Sequence, residues 1–224
     1  MRAPISVIIP TLNVGKSLPG CAAALVEGVS AGLICEVIFT DGGSTDDTAE
    51  IAEEVGAEFI TGPPSRGGQL RRGCAAARGT WLLILHADTQ LGLGWSDAAH
   101  DHIATGMAGY GDLRFDKGGR LVSRGANLRS RLFGLPYGDQ GLLLPLSLYN
   151  DVGGYADQPL MEDVALARAL RGRLRPAGFT AVTSGHKYRQ HGWIRQALRN
   201  LWTLTRYKMG VPAERLAQSY NRSA

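Results

Sequence analysis

Cysteine is scarce in this chain. Its 224 residues hold three, Cys21, Cys35 and Cys74, all in apolar surroundings and without metal-ligand spacing. An odd, sparse set argues against a disulfide framework and predicts small buried thiols in a reducing compartment. Long apolar runs are missing as well: none approaches the roughly 20 residues that span a bilayer. No cleavable leader precedes the first apolar segment. The expectation is a cytoplasmic protein, free to sit peripherally at the inner face of a membrane. Charge is nearly balanced, at +4 with a pI of about 9.1. That suits phosphate-bearing ligands or an anionic surface and is too weak to argue for nucleic acid. There is no internal repeat and no low-complexity linker, so residues 1–224 read as one domain. Its 44% hydrophobic and 20% charged content is that of an ordered globular protein.

The organising stretch is Trp81-Leu82-Leu83-Ile84-Leu85-His86-Ala87-Asp88-Thr89. Five apolar residues without polar alternation predict a strand buried on both faces, as in a parallel sheet. His86 and Asp88 follow at once. Residues two apart on a strand point the same way, and ligands of open α/β sheets bind at the carboxyl ends of strands. An oxygen donor there, facing a diphosphate, would suit Mg2+ or Mn2+. The plainer alternative is a polar strand end with Asp88 closing a turn.

Residues 5–10, 36–40 and 58–60 read as further strands, alternating with helices over 17–31 and 49–55. Such alternation predicts a right-handed parallel α/β layer. After the second strand comes Asp41-Gly42-Gly43-Ser44-Thr45-Asp46-Asp47-Thr48. Its glycines allow close backbone approach to a ligand, and Asp41 can accept hydrogen bonds from a nucleobase or ribose. Ser44 or Thr45 is expected to cap the next helix, with Asp46 and Asp47 complementing its dipole. Arg66, Arg71 and Arg72 lie near the start of an alanine-rich helix, where they either grip phosphate or form a solvated basic face. A helix over 95–105 and a strand over 109–115 follow. Glu162 and Asp163 open another helix, where the positive end of its dipole favours ionised carboxylates. Residues 193–209 form a basic amphipathic helix, expected to cover the core, make a homodimer contact or dock on an anionic membrane.

Five motifs, in order, carry a resemblance. They are Val7-Ile8-Ile9-Pro10-Thr11-Leu12-Asn13, Asp41-Gly42-Gly43-Ser44-Thr45-Asp46, His86-Ala87-Asp88-Thr89, Pro136-Tyr137-Gly138-Asp139-Gln140 and Met161-Glu162-Asp163-Val164. Together they resemble the family 2 glycosyltransferases of GT-A fold, and within them a small bacterial subgroup with His-Ala-Asp in place of Asp-x-Asp. The resemblance implies an α/β fold with a mostly parallel central sheet flanked by helices and a C-terminal amphipathic segment. It implies a nucleotide-sugar-binding half over 1–105, an acceptor and catalytic half over 106–192 and a helical segment over 193–224.

The resemblance also implies roles. Pro10, Thr11 and Asn13 would line the nucleotide pocket with Arg66, His86 and Ala87, and Asp41 would hold the base. Asp88 would be the metal-facing carboxylate. Gly138, Asp139 and Gln140 would form the loop near donor sugar and acceptor. One of Glu162 and Asp163, with Asp163 favoured, would be the general base. The implied reaction moves a sugar from a nucleotide-diphosphate sugar to an acceptor hydroxyl, lipid-linked or small, with inversion and a divalent cation. Three departures stand out: Val14 in place of an acid, His86 in place of the first acid of Asp-x-Asp, and Ser184-Gly185-His186-Lys187-Tyr188 where relatives carry arginines and a tryptophan. His186 and His191 are candidate second metal ligands. The alternatives are a catalytically decayed nucleotide-sugar-binding protein and a sugar nucleotidyltransferase, although Pro10-Thr11-Leu12-Asn13 is not the latter's glycine-rich phosphate loop.

Overall fold

The computed structural model describes residues 3–221. Its first four strands are β1 (Ile5–Thr11), β2 (Ile34–Asp41), β3 (Glu58–Thr61) and β4 (Trp81–Ile84). The later four are β5 (Thr89–Leu91), β6 (Ala108–Phe115), β7 (Leu142–Pro145) and β8 (Leu174–Thr183). All eight join one sheet in the order β3-β2-β1-β4-β7-β6-β8-β5. The first four in that order are mutually parallel. β7 runs against both of its neighbours, β6 and β8 are parallel, and β5 is antiparallel to β8 at the far edge. The sheet is therefore mostly parallel, as the strand-helix alternation predicts. β5, from the N-terminal half of the chain, lies beside β8 from the C-terminal half, so chain-order halves interleave in space.

Period-two alternation divides the core. Val7, Ile9, Leu83 and Leu85 enter a cluster on one face with Leu18, Cys21, Leu25 and Trp95. Ile8, Leu82 and Ile84 enter the other, with Leu70, Cys74, Leu148 and Leu166. Both faces of β1 and β4 are thus covered, which is why their sequences show no polar alternation. The face of the first cluster is packed by α1 (Leu18–Ser30), α2 (Thr48–Glu54) and α4 (Trp95–Ile103). The opposite face carries α3 (Arg66–Ala76), α6 (Leu146–Asp151) and α7 (Glu162–Ala169). Cys21 and Cys74 are buried free thiols, and burial pushes each up to about 12.

The remaining helices are α5 (Arg120–Phe133), α8 (His186–His191), α9 (Trp193–Lys208) and α10 (Ala213–Asn221). Phe115 at the end of β6 meets Tyr188 and Trp193, with ring centroids 4.9 and 5.0 Å away, and so anchors α8 and α9. Asp116 ties the same junction through Arg189 at 2.8 Å and the Gly185 amide at 2.8 Å. Of the alternatives for the apolar stripe of α9, covering the core is the one the structure does not bear out. Leu204 is buried, but Ile194, Leu198, Leu201 and Trp202 face outward, while Gln196 and Thr203 are buried.

The expected cap of α2 also differs. Ser44 turns its hydroxyl to Asp41 Oδ1 at 2.5 Å. Asp46 instead accepts from the Thr48 amide and hydroxyl and from the Gly15 amide. Asp46 thus joins the turn after β1 to the start of α2.

Candidate active site

A cavity of about 180 Å³ opens at the carboxyl ends of β4, β6 and β8. It brings together Arg66, His86, Asp88, Gly138, Asp139 and Asp163 from four separate stretches of chain. Each stands where local structure fixes it. His86 and Asp88 occupy the strap that leaves β4 and crosses to β5. Gly138 and Asp139 lie on a single 3-10 turn, Gly138–Gln140, ahead of β7. Asp163 lies in the first turn of α7, directly after Met161, whose φ of 65° is left-handed. A bulky residue in that region is strained, a cost the surrounding packing must hold.

Direct bonds link these groups. Arg66 sends Nε to Glu162 Oε1 at 3.1 Å and Nη2 to His86 Nε2 at 3.1 Å. Because arginine only donates, His86 Nε2 is the acceptor and the ring proton sits on Nδ1. Burial, with the cations of Arg66 and Lys187, pushes His86 down to about 3, so the ring is neutral at physiological pH. The Gly138 amide donates to Asp163 Oδ2 at 2.9 Å. A Cβ on Gly138 would meet His86 Nε2 at 2.3 Å, so only glycine lets ring and turn approach this closely.

The acids differ in environment. Glu162 is 1% exposed and lies behind the cavity wall; burial raises it while Arg66 opposes the rise, and its Oε2 has no partner. Asp139 is pushed up to about 6 by burial, against Arg129, with Asp163 and Asp88 adding to the rise. Its Oδ1 is buried without a hydrogen-bond partner. Asp88 opens into the cavity and is raised by desolvation, with the charges of Lys187 and Arg66 acting the other way. Among the described residues no three His, Cys, Asp or Glu side chains are grouped to hold a metal. His86 faces Arg66, and neither His186 nor His191 lines the cavity. Asp88 therefore fits a hard divalent cation only in a site completed by an oxygen-rich ligand such as a diphosphate, a common arrangement for Mg2+.

The other expected residues lie outside this cavity. Pro10, Thr11, Asn13 and Asp41 stand at the carboxyl ends of β1 and β2 or just beyond. Asp41 is 2% exposed and accepts four bonds, from the Thr11 and Ser44 hydroxyls and the Gly43 and Ser44 amides. These occupy the roughly four acceptor positions of a carboxylate. Despite desolvation, the four bonds hold its carboxyl below the usual range. Asn13, at a left-handed φ of 52°, accepts from the Thr45 amide at 2.8 Å. Val14 packs against the core where the resemblance expects an acid. Ala87 is buried. Gln140 is fully buried, donating to Gly111 O and accepting from Ser130 and Arg129, so it ties α5 to β6. Of the three arginines near α3, Arg66 alone lines the cavity.

Sequence reasoning missed the far wall. Gln196, Asn200 and Tyr220 line the cavity, with Gln196 Nε2 donating to Asn200 Oδ1 at 2.9 Å and to Tyr220 Oη at 3.0 Å. Asn200 Nδ2 in turn donates to Tyr188 Oη at 2.9 Å. The available signal was a polar row, Gln196, Asn200 and Thr203, at helical spacing within an otherwise apolar and basic helix.

Known proteins share this architecture. The Staphylococcus aureus TarS 1–349 structure superposes with a TM-score of 0.60 at 14% identity, covering 90% of this chain and 64% of that one. Glucosyl-3-phosphoglycerate synthase from Mycobacterium tuberculosis, in complex with Mn2+, UDP and phosphoglyceric acid, gives 0.56 at 19% identity, covering 93% and 79%. The fold is thus of the GT-A type. Residues 6–154 match the family Glycosyl transferase family 2, and the chain belongs to it. A Mycobacterium tuberculosis PGL/p-HBAD biosynthesis glycosyltransferase is 39% identical over 99 residues, 41% of this chain. The match spans 38% of that relative's length.

Proposed function

We propose that the chain transfers a sugar from a nucleoside diphosphate sugar to an acceptor hydroxyl with inversion, Asp163 acting as general base and Asp88 holding Mg2+ or Mn2+. The observation that carries this reading is the convergence of Asp88, Asp139 and Asp163 with Arg66 and Lys187 on one cavity at the strand ends. Acids suited to a cation and to a proton stand beside bases suited to a diphosphate. When bound, the cation offsets negative charge growing on the departing diphosphate.

The chain's own residues do the rest. Arg66, braced by Glu162 and His86, presents a fixed guanidinium for phosphate oxygens, with Lys187 beside it. Asp163 spends one acceptor position of Oδ2 on the Gly138 amide and keeps others for a hydroxyl proton. One base and a single displacement invert the anomeric centre. Gly138 and Asp139 border donor sugar and acceptor. Pro10, Thr11 and Asn13 wall the nucleoside; a base contact through Asp41 would replace the Ser44 hydroxyl on Oδ1.

Uridine diphosphate sugars are the first donors to test, since TarS has been solved with UDP-GlcNAc. At 100 times its dissociation constant a native-state ligand adds about 2.7 kcal/mol, roughly 5–11 °C in a domain of this size. The expected result is a nucleotide shift that grows with Mn2+ in the native chain and does not in Asp88→Asn. Retained configuration in the product would refute the single displacement. A neutral His86 in place of an acid favours one second reading, a nucleotide-sugar binder without turnover. Nucleotide binding without nucleotide release from any donor and acceptor pair would select it.

A further inference from the structure

Helix α9 is docked with its polar row inward. Gln196 and Asn200 face the cavity, while Ile194 is 75% and Leu198 60% exposed on the opposite side. Across from it, α5 exposes Leu121, Leu132 and Phe133. Between the two helices runs an apolar groove of about 460 Å³, lined by Leu121, Val122, Phe133, Ile194, Leu198 and Leu201. It adjoins the candidate catalytic cavity. Tyr137, Asp139, Tyr188 and Asn200 line both this groove and the candidate catalytic cavity. Polar groups of the cavity therefore wall one end of the apolar groove, which is open to solvent.

Charge marks the same two helices. Helices α5 and α9 together carry eight Lys and Arg, Arg120, Arg124, Arg129, Arg131, Arg195, Arg199, Arg206 and Lys208, and no acid. The whole chain has 24 Lys and Arg against 20 Asp and Glu, so outside these two helices acids outnumber bases. Exposed apolar side chains flanked by cations match the interface of an anionic bilayer, where apolar groups enter the acyl boundary and cations meet the headgroups.

We propose that the α5–α9 groove holds the apolar chain of a lipid acceptor and delivers its hydroxyl end past Tyr137 and Asn200 to Asp139 and Asp163. This rests on the glycosyl-transfer reading of the cavity. The occupant is an amphiphile because the groove is apolar along its length and polar only where it joins the cavity. A second copy of the chain would have to bring acids to two helices that carry none of their own.

The test uses n-alkyl β-glucosides, from hexyl to nonyl, titrated calorimetrically below their micelle concentrations. Each methylene buried in the groove should tighten binding about fourfold. Leu198→Glu and Ile194→Glu, both at exposed positions that do not threaten folding, should flatten that dependence. Val29→Glu is the control: Val29 is 56% exposed in a separate apolar depression beside α1 and should leave the series unchanged. No chain-length dependence in the native protein, or equal loss in all three variants, would overturn the proposal. So would a native dimer that Leu198→Glu converts to monomer. Nucleotide binding is followed in the same samples. A chain-length series that persists in a protein binding no nucleotide would retain the groove and remove the transfer reading on which the acceptor role rests.

Discussion

Replacing Gly138 by alanine isolates the contact on which the cavity is built. The backbone at Gly138 is not left-handed, so the added methyl brings no φ strain. Its whole effect is steric. The new Cβ would lie 2.3 Å from His86 Nε2 and 2.9 Å from His86 Cε1. The ring must swing away, and its bond from Arg66 at 3.1 Å goes with it. Overpacking a tight contact costs about 1–3 kcal/mol, and a hydrogen bond to a charged group is worth roughly 1.5–3 kcal/mol. Because Arg66 is partly open to solvent, which can replace the lost partner, the overpacking cost dominates. The expected loss is about 2 kcal/mol, or roughly 4–8 °C in melting temperature for a domain of this length. Calorimetric melts of Gly138→Ala, His86→Ala and the double variant close the cycle. Once the ring is absent the methyl has room, so the double variant should recover at least 1 kcal/mol relative to additivity. Additive losses, or a single-variant cost below about 0.5 kcal/mol, would refute the claim that His86 is what excludes a side chain at 138.

Asp163→Asn should lower turnover about 10²–10⁴-fold with nucleotide binding kept. Glu162→Gln should instead weaken binding of nucleoside diphosphate by loosening Arg66; steady-state kinetics on the two variants would distinguish these roles. Asp139, at 3.8 when unperturbed and about 6 in the fold, binds more protons native than unfolded, so its contribution to stability falls as pH rises through that interval. Asp139→Asn should therefore gain on the parent in urea melts between those pH values, with a constant difference above them; parallel curves would contradict the assignment. The protein should sediment with phosphatidylglycerol vesicles and release as salt rises. Each of Arg124→Glu and Arg195→Glu should weaken that binding at least about fivefold.

The strands of the parallel half are legible because their apolar, β-branched runs are local and uninterrupted. β8 is not. Pro176 and Gly178 break its pattern, and the structure uses them at an irregularity where the β6–β8 register slips, Gly178 taking a φ of 85°. β5 is three residues long, too short for any periodicity. His86, Asp88, Gly138, Asp139 and Asp163 are legible as motif residues clustering at strand and helix ends. Gln196, Asn200 and Tyr220 are not, because an amphipathic pattern says which faces differ and not which one turns inward. Pattern reasoning leaves the apolar stripe of α9 to the core, a dimer contact or a membrane; the polar network with Tyr188 and Tyr220 turns the opposite face inward.

The strap bearing His86 and Asp88 is moored by β5, whose Thr89 is registered against Thr183 of β8. During synthesis, strands β3, β2, β1 and β4 can assemble as soon as residue 84 has emerged. The mooring for the strap is not made until nearly a hundred residues later, after a costly long-range closure. A nascent or truncated chain ending before β8 would hold a sound parallel layer and have every acid of the cavity already translated, yet no fixed floor. The cavity is thus completed late, its far wall of Gln196, Asn200 and Tyr220 last of all.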